Sequence, residues 1–139
     1  MIQKTIADWH RLTEQNLPGG LDELLADDVV FHSPVVHTPQ AGRALTAMYL
    51  QGALYALAEG KPISESKFEY VREILDGNNA MLEFRTEIDG IEVNGIDIIQ
   101  CNDRGQISDF KVMIRPLKAV NIVHQKMMAM LEQMKSKSA

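Results

Sequence analysis

Asp97 is the residue through which this 139-residue chain most directly offers chemistry. It stands in the run Val93-Asn94-Gly95-Ile96-Asp97-Ile98-Ile99. In an extended strand every second side chain points the same way, so Val93, Gly95 and Ile99 share its face. A carboxyl group on such an apolar face either finds hydrogen-bond partners or keeps its proton, because ionisation away from water is costly. A neutral carboxylic acid can donate a hydrogen bond to an oxygen on which negative charge develops. The structural alternative is that Asp97 satisfies a buried backbone group or a helix terminus.

His32 is the second candidate, as an acid or base near neutral pH. It precedes Ser33-Pro34, and neighbours in a strand point to opposite faces, so His32 faces inward only if Ser33 does not. Otherwise it caps a helix or sits on a rim. Trp9 offers one N–H donor and no useful acid, and reads as a core or pocket-wall residue. Tyr49 shares a helical face with Leu45, where its hydroxyl would reach Asp97 or a ligand. Phe31, Phe84, Phe110, Val112 and Ile114 are the expected apolar lining, and His37 lies in a loop that would rim the entrance. His10 falls off the apolar stripe of its helix. Arg115, before Pro116, reads as a surface or interface guanidinium. His32, His37 and His124 lack the spacing of metal ligands, and the single Cys101 excludes a disulfide framework and a cysteine-based zinc site. No glycine-rich phosphate loop or nucleophile elbow is present. The expectation is proton chemistry without metal or cofactor.

The composition suits that reading. Hydrophobic residues make up 45% and charged residues 24%, with 14 basic and 19 acidic side chains giving a net charge of −5. These values fit one soluble domain and argue against nucleic acid as a partner. No apolar run approaches the ~20 residues of a membrane helix, and the N-terminus lacks an apolar signal core. A cytoplasmic protein without a membrane partner is expected.

The elements that must position these residues follow from periodicity. Residues 3–16 read as a helix with Ile2, Ile6, Trp9 and Thr13 on one stripe, ended by Leu17-Pro18-Gly19-Gly20. Leu21, Leu24 and Leu25 form a short second helix closed by Asp27-Asp28, and Val29–Ser33 is a short strand stopped by Pro34. A loop to Gly42 precedes a third helix reaching about Glu59. The period then becomes two. Phe68, Tyr70, Arg72 and Ile74 share one face of a strand. Asp76-Gly77-Asn78, Asp89-Gly90 and Asn102–Gly105 are turns between further strands. Residues 118 to about 135 form a last helix with the stripe Leu117, Val120, His124, Met127, Leu131 and Met134. Its methionines suit packing or a lid over an irregular opening, and the Lys-Ser-Lys-Ser-Ala end frays.

Three helices before an antiparallel meander, with one helix after it, predict an α+β fold: a curved sheet forming a cone, apolar inside and open at one end. Ile96 and Ile98 lie on the opposite face with few charges between them, which points to a homodimer packed through the outer sheet face.

Three stretches carry a family resemblance. They are Leu24-Leu25-Ala26-Asp27-Asp28-Val29-Val30-Phe31-His32-Ser33-Pro34, Gly42-Arg43-Ala44-Leu45, and Gly95-Ile96-Asp97-Ile98-Ile99 running on to Asp103-Arg104-Gly105-Gln106-Ile107. They resemble the nuclear transport factor 2-like superfamily, in its SnoaL-like and ketosteroid-isomerase-like branch, over residues 5–122. The resemblance implies a cone-shaped cystatin-like roll and a single SnoaL-like domain over residues 1–139, with 118–139 a C-terminal helical extension. It also implies that Asp97 occupies the position of the oxyanion-stabilising acid of the isomerases, or of the pocket aspartate of the cyclases. The isomerases place their general-base aspartate immediately before the proline of the first stretch. Ser33 stands there in this chain, and a hydroxyl is no base near pH 7, so ketosteroid isomerisation itself is disfavoured.

The expected function is therefore an apolar pocket for a small hydrophobic, carbonyl-bearing molecule, serving a cofactor-independent acid/base reaction of isomerase or polyketide-cyclase type. Asp97 would be acid or oxyanion stabiliser and His32 the base. The alternative is a ligand-binding or dimerisation module that keeps the cone without catalysis.

Overall fold

The computed structural model describes residues 1–15 and 20–138, with side chains as far as residue 133. Elements follow in the order α1 (Ile2–Glu14), α2 (Leu21–Leu24), β1 (Leu25–His32), β2 (Gln40–Ala41), α3 (Arg43–Leu57), a 3-10 turn (Ile63–Glu65), β3 (Glu69–Asp76), β4 (Asn79–Ile88), β5 (Ile91–Cys101), β6 (Ile107–Arg115) and α4 (Leu117–Ser138). The strands form one six-stranded sheet in the order β2-β1-β6-β5-β4-β3. Strands β3 to β6 are the antiparallel meander read from the turns. No helix among the described residues is long and apolar enough to cross a membrane.

β4 and β5 set the frame. They pair over ten residues from Asn79↔Gln100 to Ile88↔Ile91, and the turn between them places Asp89 at φ 51° and Gly90 at φ 79°. Two successive positive φ values match the twist of a tight hairpin, which Asp-Gly supplies. Alternation then sorts the side chains. Ala80, Leu82, Phe84, Val93, Ile99, Phe110 and Val112 are buried on the inner face. Met81, Glu83, Asn94, Ile96, Lys111 and Met113 lie on the outer face.

The core sits between that inner face and three helices. α1 buries Ile2, Ile6, Trp9 and Leu12, and α3 buries Ala47, Leu50, Ala53 and Leu57. Two hydrogen bonds tie the layers: Thr5 Oγ1 donates to Gly105 O at 2.7 Å, and Thr86 Oγ1 donates to Leu57 O at 2.9 Å. α4 packs against α3, β5 and β6. Gly52 of α3 makes room for Leu131, whose Cδ2 would lie 3.5 Å from a Cβ at that position.

The structure departs from the sequence reading at four places. The second helix ends at Leu24, and Leu25 already belongs to β1, so Asp27-Asp28 lies inside a strand instead of closing a helix. Fully buried Leu25 and Val29 reward extension, and β1 pairs with β6 in parallel, which the meander pattern does not contain. The buried stripe of α4 is Ala119, Val123, Met127 and Leu131, whereas Leu117 and His124 are exposed. Met127 and Leu131 stay on the stripe as expected, and its first turns shift by one position from Val120 and His124 to Ala119 and Val123. The fourth departure, in β3, shapes the site and is described below. The Leu17–Gly19 helix stop, the Met134 end of the stripe and the fraying of the last side chains lie outside the described residues.

Gly95 is the tightest point of the frame. A Cβ there would lie 2.7 Å from the backbone oxygen of Met113 and inside the ring of Phe84. Gly95→Ala should therefore destabilise the fold by about 2 kcal/mol or more through overpacking. A urea unfolding midpoint unchanged from wild type would refute this close approach.

Candidate functional site

The site is built by α1, β3 and β5. Along β5, Asp97 pairs with Leu82 on one side and Val112 on the other. Both neighbours are buried, and Asp97 itself is 5% exposed. The hydroxyl of Tyr70 donates to Asp97 Oδ2 at 2.6 Å, and the Tyr70 hydroxyl oxygen in turn accepts from Trp9 Nε1 at 3.0 Å. A tyrosine has one O–H to give. Here it is committed to the carboxyl, and the indole N–H fixes its direction.

A β-bulge in β3 places Tyr70. The pairs Glu69↔Arg85 and Tyr70↔Phe84 are followed by Arg72↔Glu83 and Ile74↔Met81, so Val71 is an extra residue without a partner. A bulge puts two residues opposite one and shifts the parity beyond it. Phe68 and Tyr70 therefore face inward, while Arg72 and Ile74 face outward. The sequence reading placed all four on one face, and the inserted Val71 is the reason that reading fails. Tyr70 is the candidate site residue it missed. An exposed Arg72 two residues after an aromatic Tyr70 is the signal that could have indicated the change of face.

Burial dominates the electrostatics. Desolvation pushes the Asp97 carboxyl from its ordinary 3.8 up to about 7, with the Tyr70 hydrogen bond pulling it down. The Tyr70 hydroxyl is raised well above its ordinary 10.0 by burial first, then by the charge of Asp97 and the bond to it, against the Trp9 bond. Asp97 therefore changes protonation near neutral pH, while Tyr70 stays protonated and keeps donating.

Aromatic rings enclose the trio. Trp9 meets Phe110 edge-on at 5.0 Å, and Phe68 lies 5.1 Å from both Tyr70 and Phe84. Phe31 lies 6.1 Å from Phe110 and 5.8 Å from Tyr49. Of the residues expected to line a pocket, Trp9, Phe31, Phe84, Phe110 and Val112 are buried on the inner side, and Tyr49 and Ile114 are half-buried against the same core. Tyr49 packs on Phe31, and the hydroxyl expected from it at Asp97 is supplied by Tyr70. His10 is half-buried, with its Nε2 2.7 Å from Glu73 Oε1 and its ring edge-on to Tyr70. A cleft of about 510 Å³ opens at the end of α1, between Thr13, Leu54, Tyr55, Ile63 and Met130. Thr13 is one helical turn beyond Trp9 on α1, and the lining of this cleft includes none of Trp9, Tyr70 and Asp97.

His32 does not join Asp97. β1 pairs Phe31 with Phe110 and His32 with Lys111, so the buried Phe31 takes the inner face and His32 the outer one. Its Nε2 lies 2.9 Å from Asp109 Oδ1. The assignment of His32 as the base beside Asp97 is corrected by this register. Ser33 Oγ accepts from the backbone N–H of Val35 at 3.2 Å. Arg115 donates to Asn94 Oδ1 at 3.2 Å, and Glu83 is held by Arg72 and Asn94.

With this geometry in place, the comparisons identify the family. The SnoaL-like domain model matches residues 6–110. The chain belongs to the SnoaL-like family, within the nuclear transport factor 2-like superfamily. A steroid Δ-isomerase from Pseudomonas aeruginosa is similar at 33% identity and TM-score 0.87, over 97% of this chain and 94% of that one. An uncharacterised conserved bacterial protein with a cystatin-like fold, from Silicibacter pomeroyi, is 30% identical at TM-score 0.79, over 90% of this chain and 83% of that one. A de novo designed protein with a curved β-sheet shares the fold at 17% identity and TM-score 0.65, over 89% of this chain and 94% of that one. No match was found among curated proteins. The SnoaL-like chain thus carries the cystatin-like α+β architecture expected of it, at a family level that includes ligand-binding and isomerase-type roles.

The buried carboxyl makes stability depend on pH with a definite sign. The folded chain holds the Asp97 proton up to about 7, whereas the unfolded chain releases it near 3.8. Between those values the folded state binds more protons, so this group's contribution to stability falls as pH rises. The total over that window is about 4 kcal/mol. Asp97→Asn keeps the acceptor for Tyr70 and removes the titration. In urea unfolding the variant should gain on wild type from pH 4 to pH 7 and hold a constant lead above. A difference independent of pH would refute the assignment.

Proposed function

We propose that this SnoaL-like protein takes a small hydrophobic carbonyl compound and serves a cofactor-independent proton transfer of isomerase or cyclase type, with Asp97 as acid and oxyanion stabiliser. The observation that carries the reading is a carboxyl set between Leu82 and Val112, aimed by Tyr70, and titrating at about 7. Tyr70 bonds Oδ2, so the proton of neutral Asp97 is available to a ligand oxygen. When a bound ketone loses a proton from the carbon beside its carbonyl to a solvent base, charge gathers on the oxygen. The Asp97 O–H stabilises that enolate in surroundings of low dielectric. Return of a proton to the same carbon, or to the far carbon of a conjugated system, restores the ketone, and no cofactor is consumed. The proposed entry is the cleft between Thr13, Leu54 and Ile63, which opens one helical turn along α1 from Trp9. Similarity to the Pseudomonas aeruginosa steroid Δ-isomerase supports a carbonyl-bearing apolar ligand. Ser33 before Pro34 favours a reaction other than ketosteroid isomerisation.

The second reading is a binding module without turnover. It is favoured by the pairing of His32 with Asp109 on the outer face, which takes that imidazole away from Asp97. In either reading the protein works as a homodimer through the outer sheet face. Ile74 and Met113 are each 51% exposed there and Met81 is 39% exposed, around Ile96 on the same face. An exposed apolar patch of this kind suits a second copy better than solvent.

Deuterium uptake into cyclohexanone and a 3-oxo steroid, followed by NMR, tests the chemistry. Uptake should be accelerated by the protein, fall as pH rises through about 7 because the acid form is required, and drop about a hundredfold in Asp97→Ala. Binding of either ketone with no accelerated exchange would select the second reading. In sedimentation the protein should weigh twice the chain mass, and Met113→Lys should shift it toward monomer. A monomeric wild type would overturn the dimer.

A further inference from the structure

The cleft proposed as the ligand's entry carries one charge that proton transfer at Asp97 does not use. Its apolar wall is Leu54, Ile63 and Met130, and among the described residues Lys61 is its one charged lining residue. Met130 comes from α4, beyond the residues 6–110 that the family model matches, so the shared domain does not by itself make this wall. A fixed backbone delivers Lys61. α3 ends with Glu59 at φ 55° and Gly60 at φ 75°. Gly60 N–H donates to Tyr55 O at 2.9 Å, and Lys61 N–H donates to Ala58 O at 3.1 Å. Left-handed residues after a helix reverse the chain, and Pro62 then fixes the direction in which it leaves. The Tyr55 ring lies over Gly60, where a Cβ would stand 3.0 Å from the Tyr55 hydroxyl. A phenol and an ammonium are thereby brought to neighbouring positions on one cleft. Glu59, the acid nearest to Lys61 in sequence, turns its Oε2 to the backbone N–H of Asp89 at 3.4 Å.

Resting on the proton-transfer reading above, we infer that this cleft holds an acidic group at the end of the ligand remote from its carbonyl, so that the ligand is a keto acid with an apolar body. The surroundings of Asp97 are unsuited to a second carboxylate, because burial there penalises charge. Lys61 and Tyr55 are exposed, so an acid beside them keeps its water and stays ionised. The carboxylate meets the Lys61 ammonium, the Tyr55 hydroxyl is the second donor, and the apolar body lies against Leu54, Ile63 and Met130. An ionised acceptor strengthens both hydrogen bonds. An exposed ion pair changes affinity by about fivefold at most. The acid end therefore selects among ketones, while the apolar body supplies most of the binding.

Amide NMR titration of the full chain with 7-oxooctanoate, 2-octanone and octanoate tests this, beside deuterium uptake into the two ketones. 7-Oxooctanoate should shift residues 51–63 and 130, bind about threefold more tightly than 2-octanone, and lose that lead in raised salt. Lys61→Gln, at an exposed position, should remove the lead and leave 2-octanone unchanged, whereas Lys61→Arg should keep it. Octanoate should show the same dependence on Lys61. Equal affinity of the two ketones, shifts centred on other residues, or Lys61→Gln indistinguishable from wild type would overturn the inference whatever the exchange rates. Binding of both acids that depends on Lys61, without accelerated exchange, would uphold the acid site and count against proton transfer. Accelerated exchange in both ketones with no preference for the acid would do the reverse.

Discussion

One carboxyl group between two buried aliphatic side chains is the constraint on which the rest of this structure turns. Asp97 sits between Leu82 and Val112 on the inner face of the sheet. A buried polar group without a partner costs several kcal/mol, and the partner has to come from across the cone. Tyr70 supplies it at 2.6 Å, and Trp9, from a helix on the far side of the core, orients Tyr70 at 3.0 Å. Three residues separated widely in sequence are thereby held to one geometry. The aromatic packing around them excludes the water that would otherwise hold the carboxyl near its ordinary pKa.

The bulge at Val71 makes this possible at small structural expense. Without it, strict alternation would keep Tyr70, Arg72 and Ile74 on the same side. Either the tyrosine would leave the core or the arginine would enter it. One unpaired residue solves both problems and sends Arg72 outward to meet Glu83 at 2.9 Å. It also turns Ile74 to the outer face, where it joins Met81 on the facing strand. The inner hydrogen-bond relay and the apolar outer patch thus share one local cause.

Much of this was legible in the residues. The meander, its turns, the cone and the inward direction of Asp97 all follow from period-two patterning and Asp-Gly punctuation, which are local signals. The parallel pairing of β1 with β6 was not legible, because it joins residues about eighty positions apart and leaves no mark on either strand alone. Tyr70 was hidden for a related reason: a bulge is a single inserted residue, and alternation is read by assuming none. The first turns of the α4 stripe were misplaced by favouring Val120 and His124 over the smaller Ala119 and Val123, while Met127 and Leu131 lie on it as read, with Leu131 packed at Gly52 of α3.

The choice between Phe31 and His32 shows how packing limits chemistry here. Adjacent residues on β1 compete for the inner face, and only one parity is allowed. Turning His32 inward would bring a polar ring toward Asp97 and expose Phe31, which is fully buried against Tyr49 and Phe110. Burial of a phenyl ring is worth about 2 kcal/mol by area and more with its aromatic contacts. The register with β6 fixes that outcome, and Asp109 then satisfies the histidine on the outer face. The inner face is left with a tyrosine hydroxyl locked as a donor and one carboxyl whose charge state is open near neutrality. Among the described residues Asp97 is therefore the inner-face group whose protonation changes near neutral pH, and under the proposed function the sense of proton transfer depends on whether the carboxyl meets a ligand oxygen before or after it has released its proton.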